Sequence, residues 1–209
     1  VALVESEGGE AVFSRCDVSK AVDIGVAVAL AVERYGRLDG FVNNAGIYRG
    51  GAFHELTEDD LDACFAVIVR GTWLGSQAAI RQFLRQGNGG AIVNIVSTAG
   101  LRGHANQAAY NAAKGAQANL TRALAVEYAR QDIRVNAVCP TYMKSAMSRI
   151  SVEDPAFDAV IAATIPKGRW GEIGDVAGAA LYLLSRDAEY LAGVLLPVDG
   201  GENAGASPV

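Results

Sequence analysis

The sequence predicts an α/β domain: a doubly wound parallel sheet flanked by helices. Short apolar runs alternate with longer stretches in which apolar residues recur at three- and four-residue spacing. The short runs carry apolar residues at both odd and even positions, as strands buried on both faces do. A length of 209 residues with 51% hydrophobic and 20% charged content suits one domain, 1–209, with a large core and excludes disorder.

The elements follow in order. "VALVESEGGE" (1–10) reads as the end of a helix and "EAVFSRC" (10–16) as a strand. Ile24, Ala27, Val28, Ala31 and Tyr35 then form a helical stripe that stops at Gly36. "LDGFVNN" (38–44) is a second strand. Thr57, with Asp60 three residues later, caps a long helix whose stripe is Leu61, Cys64, Phe65, Ile68, Thr72, Gly75 and Ala79. "GAIVNIVS" (90–97) is a third strand, followed by an alanine-rich helix through Tyr110, and "IRVNAVCP" (133–140) is a fourth. After an irregular stretch from 140 to 171, a helix at about 174–186 leads to the last strand, "GVLLPVDG" (193–200).

Bulk properties exclude several function classes. A net charge of -5 without a basic run disfavours a nucleic-acid partner. The longest nearly apolar run, "IGVAVALAV" (24–32), falls short of the roughly 20 residues that span a bilayer, so no membrane partner is expected. No signal peptide opens the sequence. Cys16, Cys64 and Cys139 are odd in number and set in apolar contexts, which suits buried thiols and a cytoplasmic location. With only His54 and His104, and no ligand pair, no metal site is expected.

In a doubly wound sheet, ligands bind outside the carboxyl ends of the strands. Asp17 follows the first strand, "NNAG" (43–46) the second, Ser97 closes the third, and Pro140 and Thr141 follow the fourth. Together these polar groups outline one cleft. Tyr110 and Lys114 stand at i and i+4, on one face of their helix, near the same edge. Alone, such a pair is ordinarily two snorkelling side chains on an amphipathic helix.

In their order and spacing, "CDVS" (16–19), "NNAG", Ser97, "YNAAK" (110–114), "RVNAVCP" and "VDGG" resemble the short-chain dehydrogenase/reductase family over essentially the whole chain. The resemblance implies a Rossmann-like, NAD- or NADP-dependent oxidoreductase that moves a hydride between nicotinamide and a small alcohol or ketone. It assigns Tyr110 as acid/base, Ser97 as the group polarising the substrate, and Lys114 to the nicotinamide ribose. Asp17 and Val18 would flank the adenine, Asn43, Ala45 and Gly46 the middle of the cofactor, and Pro140, Thr141, Met143 and Ser145 its nicotinamide end. His104 and Thr141 are candidate substrate contacts. The stretch 140–171, with Met143, Met147 and Ile150, resembles a substrate lid, and a homo-oligomer, tetramer or dimer, is the family's habit. Chemically, an ammonium about 4 Å from a phenol is worth about 4 kcal/mol at an effective dielectric near 20, enough to draw a pKa of about 10 toward neutrality before burial opposes it.

This chain departs from the family in several places. Thr141 stands where glycine is usual and Ser145 where threonine is usual, so Thr141 is expected to restrict the backbone. Ile68, in "IVRG", stands where an asparagine helps hold a water connecting the lysine to solvent, so that relay is expected to run differently, more slowly or not at all. No glycine-rich turn precedes "EAVFSRC", so the first two strands, which the doubly wound order places in the middle of the sheet, are absent from the sequence. An N-terminal portion of about 40–50 residues is therefore expected to belong to the working protein; otherwise the sheet is rearranged and cofactor affinity weak. Two alternatives stand beside the oxidoreductase. One is a non-catalytic cofactor-binding sensor or scaffold. The other is an epimerase or dehydratase of the extended relatives, disfavoured because little sequence follows "VDGG".

Overall fold

The computed structural model describes residues 1–148 and 153–205. A short helix, α1 (Ala2–Ser6), precedes α2 (Ala21–Tyr35) and strand β1 (Gly40–Asn43). The long helix α3 (Glu58–Gln86), β2 (Gly90–Ile95), α4 (Ala108–Tyr128) and β3 (Ile133–Pro140) follow. Helices α5 (Pro155–Thr164) and α6 (Ile173–Leu184) and strand β4 (Leu195–Val198) complete the described elements.

The strands form one parallel sheet in the order β1-β2-β3-β4. Both faces are covered, which explains why the strand sequences do not alternate. Ile92, Ile133 and Val135 pack with Ala79, Ile80 and Phe83 of α3 and Ala125 of α4. Val93 and Val138, one residue out of phase, pack with Leu183 of α6 and Ala188 on the opposite face. The register pairs Asn43 with Asn94 and Asn94 with Ala137, so the carboxyl ends of β1 to β3 share one edge.

Local signals act where they were read. Gly36 ends α2 in the left-handed region, with φ 81°, where a Cβ is disfavoured. Thr57 and Asp60 form a reciprocal capping box at the start of α3. Helix α3 is not uniform: Glu58–Cys64 and Gly71–Gln86 are α-helical, and Phe65–Arg70 is a π-helical segment. Its composition would suit a bilayer, but Ile68, Thr72, Ala79 and Phe83 are buried in the core.

One predicted strand is not formed. Residues 10–16 make no ladder with any described strand, and Phe13 is 77% exposed. A strand needs a hydrogen-bonding neighbour at about 4.8 Å. Here a cleft of about 210 Å³ separates Cys16 and Val18 from Phe41, Val42 and Asn43 of β1. The apolar pattern of "EAVFSRC" is that of a strand, and what it lacks is a partner.

Candidate active site

The carboxyl end of β2 delivers Ser97, whose side chain accepts a hydrogen bond from the Ala99 amide at 3.1 Å and starts a short 3-10 turn. Helix α4 begins close by and presents Tyr110 and Lys114 one turn apart. Ser97 stands near enough to the Tyr110 phenol to favour its ionised form. Both line a cavity of about 400 Å³ together with His104, Thr141, Met143 and Ser145. Tyr48, Tyr142, Phe157 and Trp170 form its aromatic walls, Tyr48 meeting Tyr110 edge-on with ring centroids 5.5 Å apart.

Lys114 holds its ammonium over the Tyr110 ring. Its Nζ is 5.7 Å from the Tyr110 ring centroid, and it donates to the Ile95 carbonyl at 2.7 Å and to Gln117 Oε1 at 2.9 Å. It is 3% exposed, and burial draws its pKa down to about 7. The expected lowering of the tyrosine is reversed. Burial pushes the Tyr110 phenol above its ordinary value, nearby Ser97 opposes this in part, and Cys64 and Tyr48 add to the rise. Desolvation outweighs an ammonium that is itself desolvated and bonded elsewhere.

The other predicted positions divide into two groups. Val18, Asn43 and Ala45 line the cleft of about 210 Å³ beside β1. Asp17 is exposed and already engaged: Ser19 donates to it twice and Lys20 pairs with it at 3.2 Å, holding its carboxyl below the usual range. Asn43 uses its side chain internally, donating to Asn94 Oδ1 and Ser76 Oγ. Gly46 leaves room beside the lysine, since a Cβ built there would stand 4.0 Å from Lys114 Nζ. These residues fit a nucleotide cofactor in outline, with an open flank at Gly46 and a cleft at the ends of the strands.

Pro140 ends β3, and Thr141 follows with its hydroxyl donating to Glu202. Thr141 stands where glycine is usual without left-handed strain, because Asn106 and Asp132 are the non-glycine residues with positive φ among those described. Glu202, 4% exposed, also pairs with Arg102, tying the segment after β4 to the loop that carries His104. Met143 bridges to Gly171, and Ser145 bonds Ser148. Met147 borders the cavity, whereas Ile150 lies outside the described residues. His104 stands 3.4 Å from Thr98 Oγ1, and burial lowers its pKa, so its ring faces the cavity uncharged at neutral pH.

Comparison with known proteins decides the family. The family model described as "Enoyl-(Acyl carrier protein) reductase" matches residues 1–203. The chain belongs to the short-chain dehydrogenase/reductase family. It is 42% identical over 207 residues to 2-(S)-hydroxypropyl-CoM dehydrogenase 3 of Xanthobacter autotrophicus, covering 97% of this chain and 81% of that protein. It is 44% identical over 192 residues to a protein of the same organism named inactive 2-(S)-hydroxypropyl-CoM dehydrogenase 2, covering 90% and 83%. A gluconate 5-dehydrogenase from Burkholderia cenocepacia, solved in complex with NADP and tartrate, superposes with a TM-score of 0.91 at 32% identity, covering 98% and 81%.

Within this short-chain dehydrogenase/reductase site, sequence reasoning missed Tyr48, Trp170, Gln117 and Thr72. Tyr48 follows "NNAG" by two residues and could have been read as a cleft residue. Thr72 was read only as a position on the α3 stripe, and Gln117 follows Lys114 by three residues on one helical face, but their contact, like the place of Trp170, depends on which elements meet. Ile68 is fully buried among Cys64, Ala109 and Ala113. Ile68→Asn therefore puts an amide into an apolar cluster and is expected to cost about 2 kcal/mol of stability. Urea unfolding checks this, and an unchanged midpoint would show that the site accommodates a polar group.

Proposed function

We propose that the protein is an NAD- or NADP-dependent oxidoreductase acting on an alcohol or ketone, with Tyr110 as the acid/base. The observation that carries this reading is the placement of the Ser97 and Tyr110 hydroxyls in one cavity, with Lys114 one helical turn away beside Gly46. The family membership and the NADP complex of the gluconate dehydrogenase support the cofactor. A relative named inactive at 44% identity means that overall likeness does not carry catalysis, and the argument rests on these side chains.

A bound nicotinamide supplies or accepts the hydride. This chain handles the proton. A substrate carbonyl oxygen in the cavity accepts hydrogen bonds from Ser97 and Tyr110; as its carbon gains the hydride, the oxygen becomes alkoxide-like and takes the phenolic proton. Alcohol oxidation is the reverse, with a tyrosinate accepting the hydroxyl proton. The upward push of burial on Tyr110 keeps the phenol protonated at neutral pH, which is the form that reduction requires. Lys114, Gly46, Asp17, Val18, Asn43 and Ala45 would hold the cofactor, and Pro140, Thr141, Met143 and Ser145 would border its nicotinamide end.

The described residues lining the cavity include no lysine, arginine, aspartate or glutamate, which suits an uncharged substrate body. The test is NADH and NADPH consumption over a panel of neutral and carboxylated ketones. Turnover of neutral ketones at least ten times more efficient than of their carboxylated counterparts is expected on the cost of burying an unpaired charge, about 1.4 kcal/mol or more. No consumption of either cofactor, with saturable cofactor binding, would replace the enzyme by a cofactor-binding sensor.

A further inference from the structure

We propose that Gln117 is a positioning residue that holds the Lys114 side chain and couples it to α3 through Thr72. The proposal deepens the reading above, since it rests on Lys114 serving the reaction. Gln117 Oε1 accepts from Lys114 Nζ at 2.9 Å, and Gln117 Nε2 donates to Thr72 Oγ1 at 2.8 Å. The orientation of the amide is fixed by its partners, because a flip would turn its NH2 against an ammonium that can only donate. Gln117 and Thr121 are fully buried and Thr72 is 3% exposed, so neither water nor rotamer exchange can easily replace these bonds.

The backbone of Gln117 is held as well. Thr121 Oγ1 donates to the Gln117 carbonyl at 2.9 Å, and Asn94 Nδ2 donates to Thr121 Oγ1 at 2.9 Å. The chain of bonds therefore links β2, α4 and α3. Ile68, one turn before Thr72, has no polar atom to offer, so the recorded polar link from α3 toward the lysine runs through Thr72.

The groups facing Lys114 are few. Tyr110 comes from its own helix, Cys64 from α3 and Cys139 from β3, and burial raises both thiols, Cys139 to about 11. No carboxylate is among them. The dipoles that offset desolvation of the ammonium are the Ile95 carbonyl and the Gln117 amide, of which only the second can be changed by substitution.

The test is an NMR titration of the lysine side-chain amines in the cofactor-free protein, with the Lys114 signal assigned by its loss in Lys114→Met. Gln117→Leu is expected to lower the Lys114 midpoint by about one pH unit, and Gln117→Glu to raise it by about one unit or more, as loss of a hydrogen bond to the charged form and gain of a counter-charge require. Thr72→Val, which frees the amide from its anchor, should shift the midpoint in the direction of Gln117→Leu, and Thr72→Ser should restore it. If Gln117→Leu does not fold, the Thr72 pair and Gln117→Glu carry the test. Midpoints unmoved in every folded variant would overturn the proposal. Shifted midpoints in a protein that consumes neither NADH nor NADPH would uphold the positioning role and sink the reaction assigned above; unmoved midpoints in an active enzyme would do the reverse.

Discussion

Tyr110→Phe is expected to lower ketone reduction by about 1,000-fold or more while leaving the fold and cofactor affinity close to those of the parent, because it deletes one oxygen and the proton that it carries. The ring itself is held by contacts that phenylalanine keeps, among them the edge-on contact with Tyr48 and packing against Cys64, Ile68, Ala109 and Ala113. The loss should fall on kcat, since the bond that matters strengthens as the carbonyl oxygen gains charge. Steady-state assays beside an NADPH fluorescence titration check both halves. Retained turnover in the variant would move the acid/base role elsewhere, with His104, Tyr48 and Tyr142 the other titratable groups on the cavity wall.

The second large effect concerns stability. Lys114→Met is expected to stabilise the fold, and more at low pH than at high pH. A lysine in the unfolded chain titrates near 10.4, whereas Lys114 in the folded protein titrates at about 7. Between those values the unfolded chain binds the additional proton, so stability falls as pH drops from about 10 toward about 7, and below that the penalty is complete. At about 1.4 kcal/mol per unit the gross penalty is several kcal/mol. Removing the lysine also leaves the Ile95 carbonyl and Gln117 Oε1 without a donor, which offsets part of the gain. The net stabilisation should be about 2 kcal/mol at pH 6 and should fade to zero or below by about pH 10. Urea unfolding at the two pH values measures it, and an equal difference at both would mean that the lysine is not desolvated.

These two residues also mark how far the sequence could be read. Strand β3 runs from Ile133 to Pro140 as expected, because a largely apolar run ends at a residue that cannot donate to the ladder. The start of α3 was legible because Thr57 and Asp60 form a cap from adjacent residues. The grouping of Ser97 with Tyr110 followed from the position of strand ends in a parallel sheet. The failure at residues 10–16 is of another kind: pattern reports which faces a strand would bury, and pairing depends on a neighbour that the pattern does not contain. The direction of Lys114 was hidden for a similar reason. Spacing put the ammonium and the phenol on one face, but the acceptors that hold the ammonium are a carbonyl of β2 and a glutamine whose amide is anchored by α3.

The π-helical segment Phe65–Arg70 bears on how this site breathes. Along α3 the buried positions Cys64, Ile68, Thr72 and Ser76 advance by four residues each time, a step that would drift by about 40° per turn around a regular α-helix at about 100° per residue. The wider turn absorbs the drift at the step from Cys64 to Ile68, upstream of the regular α-helix that carries Thr72 and Ser76, at the cost of poorer hydrogen-bond geometry. The weakest stretch of the helix therefore lies directly upstream of Thr72. In hydrogen-exchange experiments the amides from Phe65 to Arg70 should lose protection earlier than those of Gly71 to Gln86, so that the opening rate of this one turn sets how often the buried polar chain behind it meets solvent.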